Sequence, residues 1–177
     1  LNDSPTAMPA IALFLCMHQG ILAGIAPCRG MNARPVQAVM QLVDRDRSEK
    51  LYGAMNDRLQ TPGGAVANTV AGVGALGLQT AFIGRVRDDA LGRFYEKSLG
   101  LEGTDFPNPP VRDADLPTSR SMIFVSPDGE RSMNTYLGIS ADLGPEDVDE
   151  GVAGRTDFLF LEGYLFDKDA GKEAFLK

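Results

Sequence analysis

Apolar positions recur along this chain with the period of helices and then with that of strands. Leu51, Met55 and Leu59 stand at i, i+4 and i+8, one face of a helix that Asp44 or Asp46 is placed to cap. A short strand is predicted just before it, at 39–43. Thr61, Pro62, Gly63 and Gly64 break the pattern. Residues 65–76 then read as a helix of small apolar side chains, with Gly77 as the residue past its end. Residues 80–86 (TAFIGRV) are apolar nearly throughout, as in a strand buried on both faces. Asp88 and Asp89 open a further helix, whose dipole favours acidic groups there. Leu91, Phe94, Tyr95, Ser98 and Leu99 lie on and around its inner face, and Gly100 or Gly103 ends it.

Residues 107–117, rich in Pro and Asp, form a surface loop, and beyond them the period changes. Two strand-like runs, 119–126 and 131–137, flank Pro127-Asp128-Gly129-Glu130, a strong turn signal, and predict a hairpin. Residues 138–144 lead out of it, and Pro145-Glu146-Asp147 suits the first turn of a short helix. Residues 157–165 repeat the buried-strand pattern, interrupted by Glu162 and Gly163, and 168–177 begin another helix. Strands alternating with helices predict an α/β fold with a mainly parallel sheet, the hairpin being an insertion at its edge.

Residues 1–38 form an atypical N-terminal segment. The apolar run at 11–17 reads as a strand or, with 21–26, as the start of a secretion signal, but the basic stretch that such a signal needs is absent. His18, Gln19 and Gly20 interrupt any membrane span. Cys16, His18 and Cys28 lack the paired spacing of metal ligands and read as core or free side chains, so no metal site is expected. The chain begins at Leu1 rather than Met and ends at Lys177 within a helix pattern still running, so a portion of a longer protein is expected.

Length and charge narrow the class. The 177 residues, 44% of them apolar and 23% charged, suffice for one domain with a real core. A net charge of −7 argues against nucleic acid and anionic membrane as partners. Two cysteines are too few for a disulfide framework, which makes the cytoplasm the expected compartment.

The stretch with candidate chemistry is Gly63-Gly64-Ala65-Val66-Ala67-Asn68. An amide in so apolar a run competes with the backbone for hydrogen bonds and needs a reason to be there. Either the helix N-terminus and Asn68 hold a polar ligand against the glycine backbone, or Asn68 is satisfied internally in a tight loop. Gly72, Gly74 and Gly77 spell G-x-G-x-x-G, but a dinucleotide fingerprint needs a strand before it and a helix after it. Here the order is reversed, which leaves close helix packing as the better account and an oxidoreductase as a minor alternative.

Several blocks in order carry a resemblance: Gly63-Gly64 with Asn68, Phe82-Ile83-Gly84, then Asp89 and Gly92. Asp128-Gly129-Glu130-Arg131, Asn134-Thr135-Tyr136-Leu137-Gly138 and Glu162-Gly163-Tyr164 follow. From about residue 39 to 177 the chain resembles the ribokinase-like (PfkB) carbohydrate and nucleoside kinases, the later blocks looking closest to the adenosine-kinase-like branch. The resemblance implies a ribokinase-like α/β domain over 39–177, partial at its C-terminus, with a mainly parallel central sheet. It also implies a small β-sheet lid to which the hairpin at about 119–138 belongs. It implies transfer of the γ-phosphoryl group of ATP, with Mg²⁺, to a hydroxymethyl group of a sugar or ribonucleoside. Gly63, Gly64 and Asn68 would bind that substrate, and Met122, Phe124, Asn134 and Tyr136 would belong to the lid.

Departures from the family pattern bear on activity. The first strand of family members carries an Asp that holds substrate hydroxyls, whereas Asp3 is the only Asp among residues 1–38. Arg87 stands where Gly is usual, and Val66 is bulkier than the usual small residue. The family's Gly-Ala-Gly-Asp motif, with its general base, and the nucleotide site fall beyond Lys177. No catalytic residue is therefore expected here, and Asp88, Asp89 and Glu162 read as caps or structural groups. ATP and Mg²⁺ are expected to serve the full-length enzyme and to bind poorly to this chain alone, which is expected to be inactive. The alternative is a non-catalytic sugar- or nucleoside-binding or assembly module. Exposed strand edges and apolar faces would also favour an oligomer, such as a homodimer through the lid sheet.

Overall fold

Among the described residues nine strands divide between two sheets, and the chain passes from one sheet to the other and back twice. The computed structural model describes residues 10–15, 21–27, 40–55, 58–125, 130–163 and 168–177. In chain order, the elements to the first helix are β1 (Ala10–Leu15), β2 (Ile21–Pro27), β3 (Met40–Leu42) and α1 (Arg45–Ala54). Then come β4 (Gln60–Thr61), α2 (Ala65–Ala75), β5 (Gln79–Ile83), α3 (Ala90–Leu101) and β6 (Thr104–Asp105). The hairpin β7 (Arg120–Val125) and β8 (Arg131–Tyr136) leads through two 3-10 turns, Gly138–Asp142 and Pro145–Asp147. The last elements are α4 (Glu150–Ala153), β9 (Leu159–Leu161) and α5 (Asp169–Leu176).

The first sheet has the order β6-β5-β1-β9, and all its pairs are parallel. The second, β3-β8-β7-β2-β4, is mixed: β7 pairs β8 and β2 pairs β4 antiparallel, while β2–β7 and β3–β8 are parallel. The parallel sheet agrees with the sequence pattern. The hairpin does not lie at its edge, as the pattern suggested, but near the middle of a sheet of its own. Strands β1 and β2, both from the first 38 residues, enter one sheet each. Cys16, His18, Cys28 and residues 126–129 of the hairpin turn lie outside the described residues.

Three packed clusters follow from this layout. Val66, Ala67 and Val70 of α2 meet Phe82, Val86, Tyr95 and Leu99 on one side of the parallel sheet. Phe82, Tyr95 and Phe106 add a triad of rings with centroids 6.1 to 6.2 Å apart. Ile83, the next residue along β5, faces the other way, into Leu143 and Ala174. That alternation makes β5 a strand buried on both faces. The third cluster joins Leu51 and Met55 of the α1 segment to Met122 and Phe124 of β7.

Local chemistry explains the element ends. Asp44 caps α1 by accepting from the Arg47 amide at 2.7 Å. Gly77 takes a φ of 91° after α2, and Gly103 a φ of 81° after α3, the left-handed backbone that glycine adopts freely. Two expectations need correction. Leu59 is 62% exposed because α1 stops at Ala54, before the third apolar position can join the face. Strand β9 is also exposed, with Leu159 at 52%, because its described pairing is with β1 alone. Of the glycines in α2, Gly74 is closely packed, a Cβ there lying 3.0 Å from the Glu102 carbonyl oxygen, while Gly72 meets nothing within 4 Å. Close packing therefore accounts for one glycine of the three, and a helix end for another. No helix among the described residues is long and apolar enough to cross a membrane.

Candidate functional site

In an open parallel α/β sheet, ligands sit at the carboxyl ends of the strands. Helix α2 runs into β5 through the tight turn at Gly77, so its N-terminus lies towards the carboxyl end of β5. There the turn Gly63-Gly64 meets the helix. Gly64 occupies the N-cap with φ 112° and ψ 134°, a conformation open to glycine and costly for other residues, and it offers no side-chain cap. The first helical bond runs from the Asn68 amide to the Gly64 carbonyl at 3.0 Å. The backbone N–H groups ahead of it therefore lack a helical partner, as at any helix start.

Burial sorts the side chains of this first turn. Val66 and Ala67 are buried in the core, and Val66 at 1% exposure has no share in the open surface. Asn68 is exposed and makes no side-chain hydrogen bond within the described residues. Gly63 is buried, and its carbonyl accepts from the Tyr95 hydroxyl at 3.3 Å, which fastens the turn to α3. Gly63, Gly64 and Asn68 thus come together around one helix start.

Beside it, Arg85 closes the end of β5. Its Nη1 donates to both oxygens of Asp147, at 2.7 and 2.8 Å, and Asp147 in turn accepts from the Gly144 amide at 3.0 Å. Asn108 bridges the same two segments, accepting from the Gly84 amide at 3.0 Å and donating to the Asp147 carbonyl at 2.7 Å. These bonds fix the backbone that leaves β5.

The four hairpin residues share a different surroundings. Opposite pairs across β7 and β8 are Arg120 with Tyr136, Met122 with Asn134, and Phe124 with Ser132, so these side chains stand on one face. That face packs on α1. Met122 and Phe124 lie in the cluster with Leu51 and Met55, Asn134 accepts from the Gln41 amide, and Tyr136 is 8% exposed. The opposite face carries Ser121, Ile123, Met133 and Thr135 together with Met40 and Leu42 of β3, both of them exposed.

The acidic candidates are occupied. Asp88 pairs with Arg93 at 2.6 Å, in the open. Asp89 caps α3 and accepts from both the amide and the hydroxyl of Thr118, a residue that sequence reasoning did not single out. Glu162 is half-buried just past β9. Among the described residues, no three His, Cys, Asp or Glu side chains are grouped to hold a metal ion.

Comparison with known proteins follows the same lines. The sequence pattern of the pfkB family carbohydrate kinases matches residues 37–176. A fructokinase of Klebsiella pneumoniae is 42% identical over 99 residues, which are 55% of this chain and 32% of that protein. The crystal structure of a probable sugar kinase from Rhizobium etli superposes with a TM-score of 0.80 at 37% identity, covering 96% of this chain and 52% of the other. An adenosine kinase from Sinorhizobium meliloti gives a TM-score of 0.78, also at 37% identity, over 95% of this chain and 51% of its own. The chain thus spans about half the length of these two solved relatives. With the match running through both sheets and the helix start at Gly64, the chain belongs to the pfkB family of carbohydrate kinases.

Proposed function

We propose that this chain is the acceptor-binding portion of an ATP-dependent kinase that phosphorylates a hydroxymethyl group of a sugar or ribonucleoside. The observation that carries the reading is the start of α2, uncapped at Gly64 and with the amide of Asn68 exposed beside it. A sugar hydroxyl both donates and accepts, and an Asn amide offers both in return, while the backbone N–H groups of the helix start supply further donors. Gly64 lacks a Cβ where a sugar ring would approach.

The second sheet would act as a lid. Phosphoryl transfer depends on positioning and charge stabilisation, and a lid that excludes water strengthens both. ATP and Mg²⁺ would supply the phosphoryl group and its charge neutralisation in the full-length enzyme. The sparse use of cysteine favours a cytoplasmic site of action.

The test is ADP release by the full-length protein, with adenosine and fructose as the first acceptors. Asn68→Ala is expected to lower kcat/KM for the acceptor by roughly tenfold to a hundredfold, the effect of one or two hydrogen bonds. Its melting temperature should stay unchanged, because the side chain is exposed and without an intramolecular bond among the described residues. Parental kinetics in Asn68→Ala would sink the assignment of this site. Tight acceptor binding without turnover in the full-length protein would favour the binding-module alternative.

A further inference from the structure

One aromatic ring joins the hairpin to the acceptor turn. Tyr52 lies on the side of α1 that meets the second sheet, where it packs with Leu51, Met55, Met122 and Phe124. Its ring is approached by two guanidinium groups, the Cζ of Arg58 at 4.1 Å and that of Arg120 at 4.8 Å from the centroid. Its hydroxyl accepts from Gln60 Nε2 at 2.8 Å.

Arg120 opens β7 and is 8% exposed. Its Nε donates to Ser48 Oγ at 2.7 Å, and its Nη2 is buried without a hydrogen-bond partner. Burial lowers its pKa below the usual arginine value, yet a guanidinium keeps its proton. A buried cation without a bonded carboxylate is expensive, and here the ring of Tyr52 and the hydroxyl of Ser48 compensate it. Arg58 is fastened by its own bond from Nη1 to the Tyr52 carbonyl at 2.9 Å.

Gln60, the third partner, belongs to β4, which pairs with β2 at Ala23. Pro62, with its fixed φ, stands between Gln60 and Gly63, so little slack separates the amide on Tyr52 from the turn. We propose that Tyr52 is a positioning residue that holds the Gly63–Gly64 turn in register with the hairpin of β7 and β8. The inference rests on the acceptor-site reading of that turn. In the enzyme, it makes the distance between acceptor and lid depend on one hydroxyl–amide bond and one stacked ring.

The experiment uses the full-length protein with Tyr52→Phe, Gln60→Leu and the double variant. Each single variant is expected to raise the acceptor KM about threefold to tenfold, with kcat within about twofold and the KM for ATP unchanged. The double variant should be no worse than either single, since both remove one bond. Multiplying effects, or a lowered melting temperature with parental KM, would overturn the proposal. Amide hydrogen exchange gives a readout independent of turnover: residues 60–66 should lose protection in Tyr52→Phe while 90–100 keep theirs. Unchanged exchange at 60–66 would overturn the proposal even where no acceptor is turned over, whereas loosened exchange without any turnover would place the failure in the acceptor reading.

Discussion

Gly92→Ala lowers stability by about 3 kcal/mol, whereas Gly100→Ala, further along the same helix, is expected to be neutral or to stabilise by up to about 1 kcal/mol. Both residues sit in α3, and both replacements add one methyl group. At Gly92 that carbon would stand 2.0 Å from the Arg87 carbonyl oxygen and 3.0 Å from the Thr118 hydroxyl. The carbonyl is held in place, because it already accepts from the Asp89 amide at 2.8 Å. Arg87 is also held from the other side, by its bridge to Val111. Relief requires α3 to tilt away from its own cap. At Gly100 a Cβ meets nothing within 4 Å, so only the helix propensity changes. Urea midpoints compared at equal slope read both values. A loss below about 1 kcal/mol at Gly92 would show that the start of α3 yields more easily than these bonds allow.

Where one physical signal dominated, the sequence came close, leaving Asp44 or Asp46 as a cap and Gly100 or Gly103 as a helix end for the structure to choose between. Gly77 and Gly103 follow their helices in left-handed backbone, and Asp44 and Asp89 cap theirs. In each case a single residue type is the cheap solution to a local need. The hairpin was legible for the same reason, since its two runs flank a strong turn signal.

Which face of the hairpin meets which neighbour was not legible. In RSMIFV the apolar residues Met122 and Phe124 alternate with Ile123 and Val125, so both faces look equally suited to burial. Only the position of α1 distinguishes them, and that depends on pairing between strands distant in sequence. Strand β1 was obscured likewise, because a short apolar run is compatible with a strand or a leader until β5 and β9 pair with it. Exposure of Phe158 and Leu159 could not be foreseen from an apolar run whose composition is that of a core strand. The candidate site was the most readable part. Two adjacent glycines before a helix and an amide in its first turns are unusual enough to stand out. The Tyr52 junction was not, because its partners lie on α1, β4 and β7 and share no spacing in the sequence.

Asp89→Ala is expected to cost about 3 kcal/mol, a loss that divides between a helix start and the root of the hairpin. The carboxylate accepts from the Gly92 amide at 2.8 Å, from the Thr118 amide at 2.9 Å and from the Thr118 hydroxyl at 2.8 Å. Losing the first is the loss of an N-cap, about 1 kcal/mol. Losing the others strands a buried N–H at the point where the chain turns into β7, about 1 to 3 kcal/mol more. The chain returns from β8 through the same place: Ile139 donates to the Pro117 carbonyl at 3.0 Å, and Gly138 with φ 50° leaves room there that a Cβ, 2.2 Å from that oxygen, would fill. Asp89→Ser separates the two parts, because a serine hydroxyl caps the helix but is too short to reach Thr118 as well. It should recover about 1 kcal/mol of the loss and leave residues 118–120 with faster amide exchange than the parent. Parental stability in Asp89→Ser would mean that the Thr118 bonds contribute nothing. Both oxygens of Asp89 are engaged by donors of the chain itself, Oδ1 by the Gly92 amide and the Thr118 hydroxyl and Oδ2 by the Thr118 amide, which ties the carboxylate into the fold. Its function in this chain is to anchor the hairpin to the helix whose start it caps.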